Sequence, residues 1–245
     1  LGLDFGVEYY TGDLGLIGAN VFYKDIDDFI YADLGVSGSS GSLSGDVDLA
    51  ALPGMDTILP NNPTIIYNQP QNGESAEVFG IELTFARQFS NLPGFWSGFG
   101  VYSNAVFQDT EAKIEVANVA GDLGGLRTSR FFNAPDYGGT LSLTYQQYDF
   151  DIALTYSFQG DQIDEPEEFF TDEHEQSYDS LDLNIKYDLP DSGFGLFTLF
   201  LRSTDILDSG DKPINHETRM GNSRYTDDIE FDGRTIRFGI IGTFE

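Results

Sequence analysis

The sequence contains no cysteine, and its 245 residues include only 12 Lys and Arg against 41 Asp and Glu. Without cysteine there is no disulfide framework, thiol nucleophile or thiolate metal site. A formal net charge of −29 repels phosphate groups and argues against binding of nucleic acid. No run approaches the roughly 18 consecutive apolar residues of a transmembrane helix. Because patterned sequence begins at Leu1 without an initiator Met, we expect a piece of a longer protein.

What the chain does contain is a repeated alternation of apolar and polar residues, the period-two pattern of β-strands. Its 21 Phe and 13 Tyr exclude the disorder that so high a charge would otherwise suggest. Nine strands are predicted, at 1–10, 15–33, 76–89, 98–115, 136–145, 150–162, 177–188, 195–207 and 232–245. The fold class is therefore all-β, an antiparallel up-and-down sheet. Polar residues inside these strands are expected to face an interior, namely Glu8, Glu82, Asp182, Lys186 and Arg237.

The connections between these strands alternate strictly in length. The short ones are 11–14, 90–97, 146–149 and 189–194, and the long ones are 34–75, 116–135, 163–176 and 208–231. In an up-and-down sheet, alternate connections emerge at opposite ends, so all the long ones share one end. This asymmetry is typical of a transmembrane β-barrel in an outer membrane. Aromatic residues beside the short turns, including Phe95, Trp96, Tyr145 and Tyr148, suit an interfacial girdle.

Nine is an odd number of strands, whereas single-chain bacterial barrels have even numbers. Open sheet edges are not tolerated in hydrocarbon. We therefore expect residues 1–245 to be the C-terminal portion of an outer-membrane β-barrel domain, about nine strands of a larger barrel. The last strand, GRTIRFGIIGTFE, is expected to close against a strand upstream of Leu1.

Several stretches resemble the C-terminal barrel of TonB-dependent outer-membrane receptors. They are YKDIDDFIY (23–31), NGESAEVFGIELTFARQF (72–89), LPGFWSGFGVYSNAVFQDTEA (92–112), RTSRFFNAPDYGGTLSLTY (127–145) and FDGRTIRFGIIGTFE (231–245). The Asn-Gly-Glu-Ser-Ala run is the most specific part. With the Leu-Pro turn after it, this run is most similar to a branch linked with oligosaccharide uptake.

The resemblance implies a barrel of about 22 strands around an N-terminal plug. It implies partners, too: outer-membrane lipid, a periplasmic TonB-type energy-coupling protein reached through the N-terminal part, and a small-molecule or oligosaccharide ligand. Long loops would be extracellular, and short turns and the C-terminus periplasmic. A scarce solute would be imported, so no enzyme, catalytic residue or cofactor is expected. The plug domain, the coupling motif and the earlier strands are not in this sequence.

Candidate ligand-binding residues lie in the predicted long connections: Tyr67, Arg127, Arg130, Phe169, Phe170, Arg219, Arg224 and Tyr225. Aromatic rings stack on sugar rings, and arginine forks onto carboxylates or phosphates. Two structural interpretations stay open. Phe169 and Phe170 could anchor their loop, and each arginine could neutralise a neighbouring carboxylate.

The acidic stretch DQIDEPEEFFTDEHE (161–175) offers oxygen ligands of the kind that Ca²⁺ prefers. Its weak metal candidates are Asp164, Glu165, Glu167 and Glu168, against the interpretation of a solvated acidic face. His174 and His216 show no metal-binding spacing and are predicted to be plain loop residues.

Other functions stay open beside active uptake. A passive outer-membrane channel or structural barrel would lack energy coupling. An outer-membrane enzyme would need a Ser, His and acid constellation on the strands, whereas both histidines lie in loops. A soluble β-sandwich or lectin would not sort its loops by length. As ligand, an oligosaccharide is favoured because the loops have more Phe and Tyr than Arg and Lys, and siderophore or cobalamin uptake remains open.

Overall fold

The computed structural model describes residues 1–12, 15–39, 64–117, 123–166, 171–191, 193, 195–207, 214–220, 223–231 and 233–243. Its strands are β1 (Gly2–Tyr10), β2 (Gly15–Asp27), β3 (Ile30–Ser39), β4 (Thr64–Asn72), β5 (Ser75–Gln88), β6 (Phe99–Ala117), β7 (Leu123–Ser129), β8 (Tyr137–Gln147), β9 (Phe150–Gln159), β10 (Gln162–Pro166), β11 (Thr171–Glu175), β12 (Tyr178–Asp188), β13 (Leu196–Thr204), β14 (Ile214–Met220), β15 (Ser223–Glu230) and β16 (Thr235–Thr243). A short 3-10 helix spans Gly94–Gly98. No helix within these ranges is long and apolar enough to cross a membrane.

The main sheet has the strand order β1-β2-β5-β6-β8-β9-β12-β13-β16, with β7 attached to β6. Every neighbouring pair on this path is antiparallel. These nine strands correspond to the nine predicted from the sequence and follow one another in chain order, so the predicted fold class is confirmed. The edge strands β1 and β16 are not paired with each other in the part of the chain that the structure describes.

The register of the sheet separates an apolar face from a polar face. One row runs Phe5, Val21, Ile81, Phe107 and Tyr137 across five strands, all paired directly and all exposed. A slip of one residue would move such a row to the other side, so apolar patterning fixes the register. The residues predicted to face an interior share the opposite, polar face, which confirms their placement on one side: Glu8, Glu82, Asp182, Lys186 and Arg237.

Turn chemistry explains the short connection between β8 and β9. Tyr148 and Asp149 both have positive φ, at 55° and 65°. A two-residue turn with both central residues in this region matches the right-handed twist of the strands that it joins. Asp28 also has a positive φ, at 55°, and there the predicted strand 15–33 ends early. Asp tolerates this conformation through local hydrogen bonding, and β3 then leaves the main sheet.

The long connections, which we predicted as loops, contain further strands. β3 and β4 form a hairpin, and β10, β11, β14 and β15 form a second, four-stranded sheet, hereafter the loop sheet. These strands escaped prediction because their sequences, such as TDEHE in β11, carry no apolar row. Backbone hydrogen bonds form the ladder without such a row, and side-chain bonds such as that from Gln162 Nε2 to Glu175 Oε2 add to it.

A cluster of buried apolar residues lies at the end of the main sheet that bears the long connections. It contains Phe29, Tyr31, Ala76, Ala112 and Ile114, and Ile26, Phe131 and Phe132 pack against it. Elsewhere the apolar side chains of the main sheet are largely exposed, with Phe5 at 72% and Phe238 at 85%. An apolar face of this extent on a protein surface indicates contact with a partner or with lipid.

Candidate functional site

The chain between β7 and β8, hereafter the 130–136 segment, is fastened over the long-connection end of the sheet. The Phe131 amide donates to Thr110 Oγ1 over 3.0 Å, and Gln108 Nε2 donates to the Pro135 carbonyl over 2.8 Å. On its other side, the Asn133 amide donates to the carbonyl of Ile163 in β10 over 2.7 Å. The segment is therefore held between a strand of the main sheet and the loop sheet.

Four aromatic side chains form the centre of this region, and we call Phe29, Tyr31, Phe131 and Phe132 the aromatic cluster. Phe29 meets Phe131 edge-on with ring centroids 5.2 Å apart, while Phe131 and Phe132 stack at 4.7 Å. Such pairs contribute about 0.5–1.5 kcal/mol beyond the area that they bury. A Cβ on Gly73 would lie 2.2 Å from the Phe29 ring, so the glycine of the Asn-Gly-Glu-Ser-Ala run admits this ring.

Beside the aromatic cluster, a cavity of about 730 Å³ opens on the polar face of the sheet. Its lining combines aromatic and polar side chains, namely Phe22, Tyr102, Phe131, Lys24, Glu82, Asn104, Gln108 and Gln159. The Lys24 ammonium lies 5.6 Å from the centroid of the Phe22 ring. Amide groups and ring faces in one cavity can hydrogen-bond and stack on a small polar solute.

The candidate arginines at this end are engaged with carboxylates. Arg127 Nη2 lies 2.6 Å from Asp172 Oδ1, and the two side chains are only 9% and 16% exposed. Arg130 contacts Asp136 at 2.8 Å and Asp161 at 3.5 Å. Both arginines therefore neutralise neighbouring carboxylates, which is the structural interpretation that the sequence left open beside ligand binding. Asp172 belongs to β11, so the Arg127 ion pair joins the main sheet to the loop sheet.

The candidates on β14 and β15 lie close to this ion pair in the loop sheet. Arg219 is paired with Asp172 on one side and with Arg224 on the other. Arg224 Nη1 is 3.9 Å from Glu217 Oε2, and its side chain is 64% exposed. Tyr225 is 59% exposed. These residues thus lie near Arg127 although nearly a hundred positions separate them in sequence.

The remaining candidates do not belong to the group of residues near the Arg127 ion pair. Tyr67 lies in β4, opposite Val36 of β3. Phe169 and Phe170 fall outside the described residues, so their role as anchor or stacking platform stays a prediction.

The acidic stretch offers no assembled metal site in the residues described. No group of three or more His, Cys, Asp or Glu side chains there is arranged to hold a metal ion. Asp164 and Glu165 lie in β10, and the Asp164 carbonyl accepts a hydrogen bond from Asn133 Nδ2. Glu167 and Glu168 lie outside the described ranges, so the calcium expectation stays untested.

His174 was expected to be a plain loop residue, and this expectation was wrong. It lies in β11, is only 8% exposed, and its Nδ1 is 3.5 Å from Asp161 Oδ2. Asp161 also faces Arg130, so His174 belongs to the charged group that fastens the 130–136 segment. Because β11 has no apolar alternation, no sequence signal marked its histidine as buried.

Comparisons with known proteins agree with this architecture. The family model described as TonB dependent receptor-like, beta-barrel, matches residues 2–202. Among solved structures, the ferric citrate transporter FecA in its unliganded form is similar, with a TM-score of 0.57 and 13% sequence identity. That match covers 99% of this chain and 30% of the FecA chain, and at this identity it shows the fold alone.

A comparison with curated proteins found no match. Neither of the two matches supports the narrower likeness to the branch linked with oligosaccharide uptake. The match over residues 2–202 covers most of the sequence and agrees with the antiparallel main sheet. The chain therefore belongs to the family of TonB-dependent receptors and forms part of their β-barrel.

Proposed function

We propose that the whole protein is an outer-membrane receptor that captures a scarce solute and imports it into the periplasm. Energy would come from a periplasmic TonB-type partner acting through a plug upstream of this chain, and no bond chemistry is involved. One observation carries the proposal: a sheet with an apolar and a polar face, whose long connections leave it at one end, beside an aromatic and polar cavity. The apolar face suits lipid and the polar face suits a wet interior.

The orientation follows from the same asymmetry, with long connections outside the cell and short turns in the periplasm. Single-cysteine variants test it, since this chain has no cysteine of its own. Tyr225 on β15 and Tyr148 in a short turn are matched, at 59% and 60% exposure. In intact cells, a membrane-impermeant maleimide is expected to label Tyr225→Cys and not Tyr148→Cys. Labelling of only Tyr148→Cys would reverse the orientation.

For the ligand we favour a neutral oligosaccharide over an anionic chelate. Arg127 and Arg130 are occupied by Asp172, Asp136 and Asp161, and the chain as a whole carries a net charge of −29. An anion would meet repulsion and few available cations. Exposed Tyr225 offers a ring face for stacking, with Arg224 beside it. Arg219, opposite Arg224 in the loop sheet, and Tyr67, on β4 of the separate β3–β4 hairpin, stay candidate contacts.

Binding to the purified full-length receptor tests the ligand class. The probes are an array of neutral and anionic oligosaccharides, with ferric citrate as the anionic chelate. We expect retention of neutral sugars, weakened about fivefold or more by Tyr225→Ala, because truncation of an aromatic residue that carries binding typically costs more than about 1 kcal/mol. Thr226→Ala is the matched exposed control on the same strand. Binding of ferric citrate alone would overturn the oligosaccharide assignment and leave the receptor function intact.

Uptake in living cells tests the transport function itself. Cells that express the full-length receptor are expected to accumulate the labelled ligand, and a protonophore or loss of the TonB-type partner should abolish accumulation. Uptake that persists under both conditions would identify a passive channel instead.

A further inference from the structure

The apolar face of the main sheet is not uniform, and one groove of about 460 Å³ is cut into it. Its floor consists of apolar side chains from three adjacent strands, among them Leu143, Ile152, Leu154 and Leu183. Tyr145 and Phe95 rise at its short-turn end. A volume of this size is within the range of small-molecule sites in proteins.

Aromatic side chains that pack against one another form a wall at the short-turn end of this groove. The 3-10 helix Gly94–Gly98 places Phe95 with its ring centroid 4.9 Å from that of Tyr145. Phe99 meets Tyr145 edge-on at the same distance. A Cβ on Gly98 would lie 2.7 Å from Tyr145 Cε2, so this glycine lets the helix lie against the tyrosine ring.

The wall holds a polar atom that the protein leaves without a partner. Tyr145 is only 7% exposed, and its Oη makes no hydrogen bond within the described part of the chain. A buried hydroxyl without a partner costs stability, so such groups commonly find one in a ligand or in water. A phenol can donate its proton to an ester carbonyl or phosphate oxygen.

The position of the groove decides what can cover it. It lies on β8, β9 and β12 with Phe99 of β6 at its end, and no lining residue belongs to the edge strands β1 and β16, where any further strand would pair. It also opens on the side opposite the polar face, so an interior plug would not reach it. The groove is continuous with the apolar face, which in a TonB-dependent barrel borders lipid.

Charge at the rim narrows the class of lipid. Asp149 is exposed and directly follows Tyr148, which lines the groove, and its carbonyl accepts a hydrogen bond from the Asp188 amide over 2.9 Å. The Asp188 carboxylate accepts a hydrogen bond from Thr198 Oγ1 on the polar face and does not belong to the rim. The nearest cation in the register, Lys186, belongs to the polar face and lies 3.6 Å from Asp151. The Asp149 carboxylate at the rim attracts an ammonium head group and repels a second negative charge.

We propose that this groove binds one glycerophospholipid from the leaflet at the short-turn side. An acyl chain occupies the floor, Tyr145 Oη donates a hydrogen bond to an ester carbonyl or phosphate oxygen, and an ethanolamine ammonium lies near Asp149. Aromatic residues at this depth are well suited to the boundary between hydrocarbon and head groups. The bound lipid would lock the 3-10 helix against the sheet.

Native mass spectrometry of the full-length receptor in detergent tests the proposal, with 1-palmitoyl-2-oleoyl phosphatidylethanolamine as the probe. Leu143→Trp fills the floor, and Leu83→Trp is its control on β5, since the two leucines are 45% and 46% exposed. We expect Leu143→Trp to weaken retention of one lipid about tenfold or more, because overfilling a packed site is strongly unfavourable. Leu83→Trp should retain the lipid as the unmodified receptor does.

A second, isosteric variant keeps the test decisive if the tryptophan disturbs folding. Tyr145→Phe is expected to weaken retention about two- to tenfold through the lost hydrogen bond, whereas Tyr137→Phe on the same face should have no effect. Equal retention by Leu143→Trp, Leu83→Trp and Tyr145→Phe would overturn the site. A receptor dimer that Leu143→Trp dissociates would assign the groove to a second copy instead. Equal retention of the phosphatidylglycerol analogue would overturn the ammonium assignment.

Discussion

The ion pair between Arg127 and Asp172 should control whether the loop sheet stays attached to the main sheet. The two side chains are 9% and 16% exposed, and their closest atoms are 2.6 Å apart. Ser129 Oγ donates a second hydrogen bond to Asp172 Oδ2 over 3.3 Å. Arg127→Met removes the cation and leaves the carboxylate buried, which typically costs about 3–5 kcal/mol.

Hydrogen exchange of the full-length receptor in lipid nanodiscs measures this loss directly. Protection of the β11 amides, Thr171–Glu175, is expected to fall at least about 150-fold in Arg127→Met, because about 1.4 kcal/mol corresponds to a tenfold change. The double variant Arg127→Met with Asp172→Leu should recover most of the protection, since no charge then remains buried.

Arg224→Met is the control for this prediction. Arg224 is 64% exposed and 3.9 Å from Glu217, and exposed pairs of this kind contribute about 1 kcal/mol or less. In Arg224→Met, the hydrogen-exchange protection of the β14 amides should therefore change less than about fivefold. If Arg127→Met and Arg224→Met had equal effects, or the double variant were no better than Arg127→Met, the ion pair would not be what joins the two sheets.

Two further variants test packing. Gly139→Ala should destabilise the barrel by about 1–3 kcal/mol, because its Cβ would lie 2.4 Å from the Asn104 carbonyl oxygen. Gly138→Ala is the control, since its Cβ meets nothing closer than 3.5 Å. The shift of the heat-modifiable band on electrophoresis reports folding, and equal shifts for the two variants would contradict the geometry. Phe29→Ala should cost about 3–5 kcal/mol because Phe29 is 8% exposed within the aromatic cluster, and exchange of the β3 amides reports it. Phe231→Ala, at 65% exposure, is the control, and an equal effect there would show that the cluster is not a core.

The nine strands of the main sheet could be predicted because their signal is local. Alternation such as that of Leu1, Leu3 and Phe5 is fixed by side-chain chemistry, and the same alternation sets which face each residue takes. The break at Asp28 could not be predicted in this way, since a polar residue within a strand and one at a bend look alike. Only its positive φ distinguishes them.

The candidate site was predicted less completely. The sequence placed Arg127, Arg130 and Arg224 at the right end of the sheet, but not their partners. Asp172 is 45 residues from Arg127, and no local pattern connects the two positions. Whether these residues bind a ligand stays a prediction for the proposed experiments.

The sequence by itself determined the fold class, the order of the main strands, the separation of apolar and polar faces and the sorting of long from short connections. Each depends on the two-residue period of extended chain or on connection length, both visible without long-range contacts. Tertiary structure alone decided the loop sheet, the burial of His174, the ion pair of Arg127 and the groove beside Tyr145 on the apolar face. These features arise where distant segments meet, and such contacts depend on the packing of the whole sheet.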